Sequence, residues 1–395
     1  MDLEYSEEHL MIRSTVKEFV DKEVLPYIND YDQKGNFFPP LKKMADLGLF
    51  GITIPYKYGG SGMDYICLAI ACEELERGDS SLRVLMSVHT GLIITAIYQW
   101  GTEDQKSYYL PKLCSGELIG TFGLTEASSG SDVGSIKTKG VKKDNEYILS
   151  GEKTWISMAN KSDVFLIIAR TDDKSEGIRG LSAFIVDRNL NGVSTSKITG
   201  KLGVKAGDTG TIYLNNVKVS EKDRLGIENE GFKIAMSAID NGRFTVAAGA
   251  LGIIKASIEE SVKYCKQRKI NGKDLGKYQL IQEHLAYMQS SYDTSELLVL
   301  KAACLKNQGR RNTRESSMAK WCVTENALDA ANRAIQIYGA NGYSNAYPLE
   351  RMWRNVRASC IYEGTTEIHK LIQASYTLGY RKDKSLRCEL PKVDH

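Results

Sequence analysis

The sequence predicts an α+β protein in three parts: an N-terminal α-helical domain over residues 1–120, a middle antiparallel β domain over 121–225 and a C-terminal four-helix bundle over 226–380, followed by a tail at 381–395. Three observations carry this expectation. Apolar residues recur at helical spacing up to about residue 120. After Phe122 the chain breaks into short β-branched and aromatic runs, and from Gly231 the helical spacing returns. The 395 residues also exceed what one hydrophobic core normally supports, so two or three domains are expected.

The first part opens on Ser6 before Glu7 and Glu8, a helix start, with Ile12, Val16, Phe19 and Val20 repeating behind it. Pro39-Pro40 and the glycines around Gly59 to Gly62 separate the helices that follow. In the middle part, YILSGEKTWIS, VFLIIAR, LSAFIVDR and GTIYLNNVKVS read as strands divided by Gly, Asn and Asp turns. In the last part Ile234, Met236 and Ile239, then Leu251, Ile254 and Ile258, then Leu297, Leu298, Leu300 and Ala303 mark long helices suited to a bundle. The tail RKDKSLRCELPKVDH is charged, holds a proline and lacks periodicity. It is expected as an arm on a neighbouring subunit or as a disordered end.

At 42% hydrophobic and 26% charged the chain has ordinary globular composition. A net charge of +3 without a basic run argues against a nucleic-acid partner. Eight cysteines, with no CxxC pair and no clustered histidine, read as reduced thiols of a cytoplasmic protein and not as a disulfide frame or metal site. The start MDLEYSEEHLMIR has no signal-peptide pattern, and no apolar run is read as long enough to span a membrane. A helix–strand–helix order with no GxGxxG after a strand argues against a Rossmann fold, so a cofactor is expected at a domain junction.

Four segments carry the chemical signal: TFGLTEASSGSD, KTWIS, QIYGANG and IYEGTTEIHK, the last setting Glu363 between Tyr362 and Gly364. A lone carboxylate is ordinarily a solvated charge or a helix cap. In this order the segments resemble the acyl-CoA dehydrogenase family, from about residue 5 to residue 380. The resemblance implies an acyl-CoA dehydrogenase-like fold with FAD between the β domain and the C-terminal bundle. It also implies oxidation of an acyl-CoA to its enoyl-CoA, with electrons passing to an electron-transfer flavoprotein. That reaction needs a carboxylate base on one face of the acyl chain and the flavin on the other. Glu363 matches the family's base, its amide being expected on the thioester oxygen, and Gly364 lets the backbone approach. Some relatives carry the base on another helix, where AIDNGRF has Gly242. Glu363 is therefore the expected base, and Asp240 with Arg243 a CoA-side or structural pair.

By the same resemblance Phe122, Leu124 and Thr125 face the flavin, and Ser131 reaches the pantetheine or the ribityl chain. Trp155 packs against the flavin while Ile156 and Ser157 bond its pyrimidine edge. Read alone, TEASSGSD is a serine-rich hairpin and a tryptophan in a strand belongs to the core. RKINGKDLGKYQ resembles the diphosphate segment, with Arg268 on the pyrophosphate and Gln279 nearby; Asn271 stands where the family has phenylalanine. In the family this segment serves a neighbouring subunit's flavin, which implies a homotetramer, a dimer of dimers. Gln336, Gly339 and Ala340 match the turn that approaches the adenosine diphosphate, and Thr365 and Glu367 follow the base onto FAD.

One segment bears on the acyl group. CEELERGDSSLRVLMSVHTGL places Arg83 in a helix rich in Leu, Val and Met, and a buried arginine needs an anionic partner. It resembles the glutaryl-CoA dehydrogenase branch, with Glu76, Arg83 and Ser87 at its acidic, carboxylate-binding and hydroxyl positions and Tyr362 also matching. That branch oxidises glutaryl-CoA and releases CO2 to give crotonyl-CoA. Other readings stand beside it. Arg83 is a structural partner of Glu76, or the acyl group is neutral, as HTGL at His89 suggests by its likeness to butyryl-type enzymes. The substrate is otherwise a cyclic acyl-CoA, or the chain is a non-catalytic binder of flavin or acyl-CoA.

Overall fold

The computed structural model describes residues 4–393; the first three residues of the predicted N-terminal domain and the last two of the predicted tail lie outside the described residues. Helix α1 (Glu7–Glu23) starts where Ser6 accepts a hydrogen bond from the His9 N–H and His9 Nδ1 accepts one from the Ser6 N–H. Its buried stripe is the predicted one, Ile12, Val16, Phe19 and Val20. Helices α2 (Ile28–Lys34), α3 (Leu41–Asp46), α4 (Tyr65–Gly78), α5 (Ser80–Met86), α6 (Thr95–Trp100) and α7 (Glu103–Cys114) complete the first part. A π-helical stretch, Ser87–Ile94, joins α5 to α6.

Arg83 stands in a helix, as expected, and α5 is set apart from α4 because Asp79 adopts extended backbone and caps α5 by accepting the Ser81 N–H at 2.8 Å. One expectation changes here. Ser80–Trp100 is, against the sequence reading, long and apolar enough by composition to cross a membrane. It lies almost wholly buried inside the protein, as a core helix does.

Eight strands follow: β1 (Gly120–Gly123), β2 (Lys139–Lys143), β3 (Glu146–Ser157), β4 (Val164–Arg170), β5 (Leu181–Asp187), β6 (Val193–Lys197), β7 (Thr209–Ser220) and β8 (Arg224–Leu225). They form one sheet in the order β6-β7-β3-β2-β4-β5-β8, with β1 added against β4. The sheet is mixed where an antiparallel one was expected. β1 runs parallel to β4, and β2 meets β4 in parallel at Lys139 and Arg170. The reason is connectivity: β1 arrives from α7 and pairs with a strand some forty residues later, beyond reach of a hairpin turn.

The last part is helical: α8 (Gly231–Gln267), α9 (Gln279–Asn307), α10 (Thr313–Tyr338), α11 (Leu349–Ser359) and α12 (Thr366–Thr377). Helices α8, α9 and α10 pack on one another, α12 packs on α10, and α4 lies along α8. α9 buries Met288, Val299, Ala302 and Ala303, while Leu297, expected in the stripe, is 50% exposed. The difference follows from α9 being covered on one side only. The tail returns to its own chain, where Leu390 and Pro391 are buried.

Candidate active site

The loop between α11 and α12 holds Glu363 at φ +55° and Gly364 at φ +94°. The left-handed region is sparsely populated by non-glycine residues and persists only when the surroundings enforce it. Here Arg243 Nε donates to the Glu363 carbonyl (3.2 Å) and Lys320 Nζ to the Gly364 carbonyl (2.7 Å), while Thr365 caps α12. Arg243 is itself held by Asp240 Oδ1 at 3.0 Å, and Asp240 Oδ2 accepts from Thr313 Oγ1 at 2.5 Å. The predicted pair is thus a brace for the base's backbone.

The carboxylate turns inward. Its Oε2 is buried with no hydrogen-bond partner among the described residues. Burial raises the carboxyl to about 7, against the pull of Arg243, Lys320 and Arg83. Burial likewise lowers Lys320 to about 7. The space for the carboxylate is made by Gly242 on α8: a Cβ there would lie 2.7 Å from Glu363 Cδ and Oε2. Glycine at that position does more than lack a carboxylate; it makes room for Glu363.

Seven residues along α8, two turns further on the same face, Gly249 repeats the device. Its Cβ would lie 2.2 Å from Glu76 Oε2 and 2.6 Å from Arg83 Cγ. Glu76 from α4 and Arg83 from α5 are each 1% exposed. Arg83 Nε donates to Glu76 Oε2, Nη2 to Glu76 Oε1 (3.2 Å) and to the Tyr362 hydroxyl, and Nη1 to Ser87 Oγ (3.3 Å). Four of the five guanidinium N–H groups are used, leaving one on Nη1, and Arg83 lines the cavity that holds Glu363. Burial raises the Tyr362 hydroxyl to about 12, so it stays protonated.

The opposite wall comes from β1 and β3. Phe122, Leu124, Thr125, Ser131, Trp155, Ile156 and Ser157 face the same cavity, of about 1390 Å³. Trp155 escapes the core because β3 shifts register against β7 between Lys153 and Ile156. With Trp155 at φ +59° this bulge turns the side chain outward, 62% exposed along the cavity. The fixed spacing of the two wall motifs has a cause: Lys153, fully buried, donates to Glu126 Oε1 (2.7 Å) and to the Leu124 carbonyl (3.1 Å). Glu126 also accepts the Lys137 and Thr138 N–H groups. Burial lowers Lys153 to about 8, with Glu126 opposing the fall.

An aromatic face, a row of hydroxyls and strand backbone suit an isoalloxazine ring. The cavity exceeds the ~300–1,000 Å³ of single-ligand pockets, enough for a flavin beside an acyl thioester. His89 serves structure. The Gly120 N–H donates to its Nδ1 (3.0 Å), so Nε2 carries the proton and donates to the Leu113 carbonyl (2.9 Å). Burial holds this imidazole at about 4.

Arg268, Gln279, Gln336, Gly339, Ala340 and Glu367 are not brought to this cavity; all six are exposed. The Arg268 and QIYGANG segments do share one end of the bundle, where Tyr264 stacks on Tyr338 and Asn341 Nδ2 donates to the Tyr264 hydroxyl. Asn271 (φ +49°) and Gly272 (φ +75°) form the turn of a two-stranded ribbon, a place that favours Asn-Gly over an aromatic. Sequence reasoning missed Lys320, Gly249 and the Glu126–Lys153 clamp. Only the seven-residue spacing of Gly242 and Gly249 offered a signal.

Three family models match in chain order: the acyl-CoA dehydrogenase N-terminal domain over residues 6–117, the middle domain over 121–217 and the C-terminal domain over 229–377. The chain is 40% identical over 375 residues to an acyl-CoA dehydrogenase of Bacillus subtilis (strain 168), covering 95% of this chain and 99% of that one. It is 39% identical over 389 residues to the glutaryl-CoA dehydrogenase of Desulfococcus multivorans, covering 97% and 99%. The solved structure of glutaryl-coenzyme A dehydrogenase in its glutaryl-CoA complex is similar at a TM-score of 0.95 and 38% identity, covering 98% and 99%. Since all three domains match in order and the likeness runs nearly end to end, the chain belongs to the acyl-CoA dehydrogenase family of FAD-dependent oxidoreductases.

Proposed function

We propose that this acyl-CoA dehydrogenase oxidises glutaryl-CoA and releases CO2 to give crotonyl-CoA. The observation that carries this reading is Arg83, a buried cation that lines the cavity of the base and keeps one N–H without a partner among the described residues. A charge so placed favours an acyl group that ends in a carboxylate. Glu363, poised near neutrality, takes the α proton; FAD, when bound, supplies the acceptor for the β hydride. Glu76 already balances Arg83, so the distal carboxylate is oriented without being locked as an ion. The bond from the γ carbon to that carboxylate then breaks, CO2 leaves, and the electron pair spreads into the thioester-conjugated dienolate. The proton held by Glu363 returns to the γ carbon, giving crotonyl-CoA.

The Glu76–Arg83 pair also favours a second reading. A neutralised arginine is a structural member, and the acyl group is then a neutral short or cyclic chain. Anaerobic bleaching of the flavin by glutaryl-CoA and butyryl-CoA, with product analysis, decides between them. Fast bleaching by glutaryl-CoA with CO2 release supports the first reading; bleaching by butyryl-CoA alone sinks it.

Exposed Arg268, Gln279 and Gln336, with exposed Leu280, Tyr287 and Leu297 on α9, support a homotetramer in which one subunit's bundle end serves a neighbour's flavin. An electron-transfer flavoprotein is the proposed electron acceptor. The eight free cysteines support a cytoplasmic setting.

A further inference from the structure

The C-terminal family match ends at residue 377, and the chain continues into the tail. After α12, Gly379 (φ +74°) turns the backbone, and the Arg381 N–H donates to the Ser375 carbonyl at 3.0 Å. The tail then docks on α6 and on the start of α8. Arg387 pairs with Glu230 and lies over the Trp100 ring. Gln99 Nε2 donates to the Cys388 carbonyl (3.2 Å), and Gln99 Oε1 accepts from Ser237 Oγ (3.0 Å) on the cavity side of α8. Leu390 is 4% exposed. Leu386, Arg387, Cys388 and Leu390 line the same cavity as Glu363.

Helix α8 orders the cavity. Gly249 marks the Arg83 end and Gly242 the base; Asp240, Ser237, Met236 and Phe232 follow along the wall toward Glu230. An acyl group seated between Arg83 and Glu363 must therefore send its thioester arm past those residues, toward the docked tail.

We infer that residues Leu386–Leu390 form the outer wall of the channel for the phosphopantetheine arm of acyl-CoA, and that the tail thereby sets affinity for the CoA portion of the substrate. This rests on the acyl-CoA seat being read along α8, not on the identity of the acyl group.

The test uses the FAD-loaded full-length enzyme, a version ending at Gly379, and charge variants of the seat. The substrates are the best acyl-CoA and the same acyl group on N-acetylcysteamine, which lacks most of the arm. Removing the tail should raise KM for the acyl-CoA about tenfold or more, with kcat changed less and the short thioester unaffected. R387E and E230K should each raise KM, and the double variant should restore it. This holds the proposal open to test even if the shortened chain fails to fold. An unchanged or lower KM after truncation, an equal loss with the short thioester, or no rescue by the double variant would overturn it. A wild-type flavin that no acyl-CoA bleaches would instead overturn the proposed function.

Discussion

Glu76 and Glu363 are both carboxylates set inside the protein, and they meet opposite surroundings. Glu76 receives Arg83 Nε and Nη2 together with Ser80 Oγ at 2.7 Å, so its charge is fully answered. Glu363 Oε2 meets no donor among the described residues, and burial raises its carboxyl to about 7. Burial alone therefore does not make a base. The number of committed donors decides whether a buried acid is a fixed counter-ion or a group that can take and return a proton.

The contrast breaks most sharply at the base. Glu363→Gln keeps the shape and removes the proton acceptor. Reduction by acyl-CoA should fall by about 10²–10⁴-fold while FAD stays bound, read by anaerobic stopped-flow spectroscopy. Rapid bleaching would remove Glu363 from the reaction. Gly242→Ala attacks the same group through space. Its Cβ would meet the carboxylate at 2.7 Å, and a displacement of ~1 Å costs about 10²-fold in rate. A crystal structure of the variant should show the Glu363 side chain moved.

At the other acid the expected effect is smaller and selective. Arg83→Met leaves Glu76 without its partner and removes the charge from the cavity. Turnover of glutaryl-CoA should drop about ten- to hundredfold, the loss of one charged hydrogen bond, with butyryl-CoA spared. Equal losses on both substrates would make Arg83 structural. The mildest change sharpens the comparison through pH. In the wild type kcat/KM should fall tenfold per unit as pH drops below about 7, where Glu363 becomes protonated. Lys320→Met removes a cation that favours ionised Glu363, so the midpoint should move up and kcat/KM near pH 6.5 should fall roughly two- to fivefold. An unmoved midpoint would confine Lys320 to holding the loop.

Much of this was legible in the chain. The strands VFLIIAR and LSAFIVD show as short apolar runs, the α1 stripe shows its helical period, and the acid in YEGT stands in a short contiguous motif. What escaped depends on segments far apart in sequence. Trp155 leaves the core through a bulge against a strand some fifty residues on, which no local pattern announces. Lys153 looks like a surface lysine until Glu126 is folded over it. Gly242 and Gly249 look like weak points in a helix until Glu363 and Leu92 are folded over the first and Glu76 and Arg83 over the second.

Those two glycines give α8 two separate notches. Two helical turns, ~10.5 Å along the axis, separate the notch under the base from the one beside Glu76 and the stem of Arg83. Between them Thr245 donates to Ser87 Oγ, the hydroxyl that Arg83 Nη1 reaches. One helix therefore carries the placement of both acids, and a shift of α8 along its axis would move the seat of the base and the seat of the ion pair together.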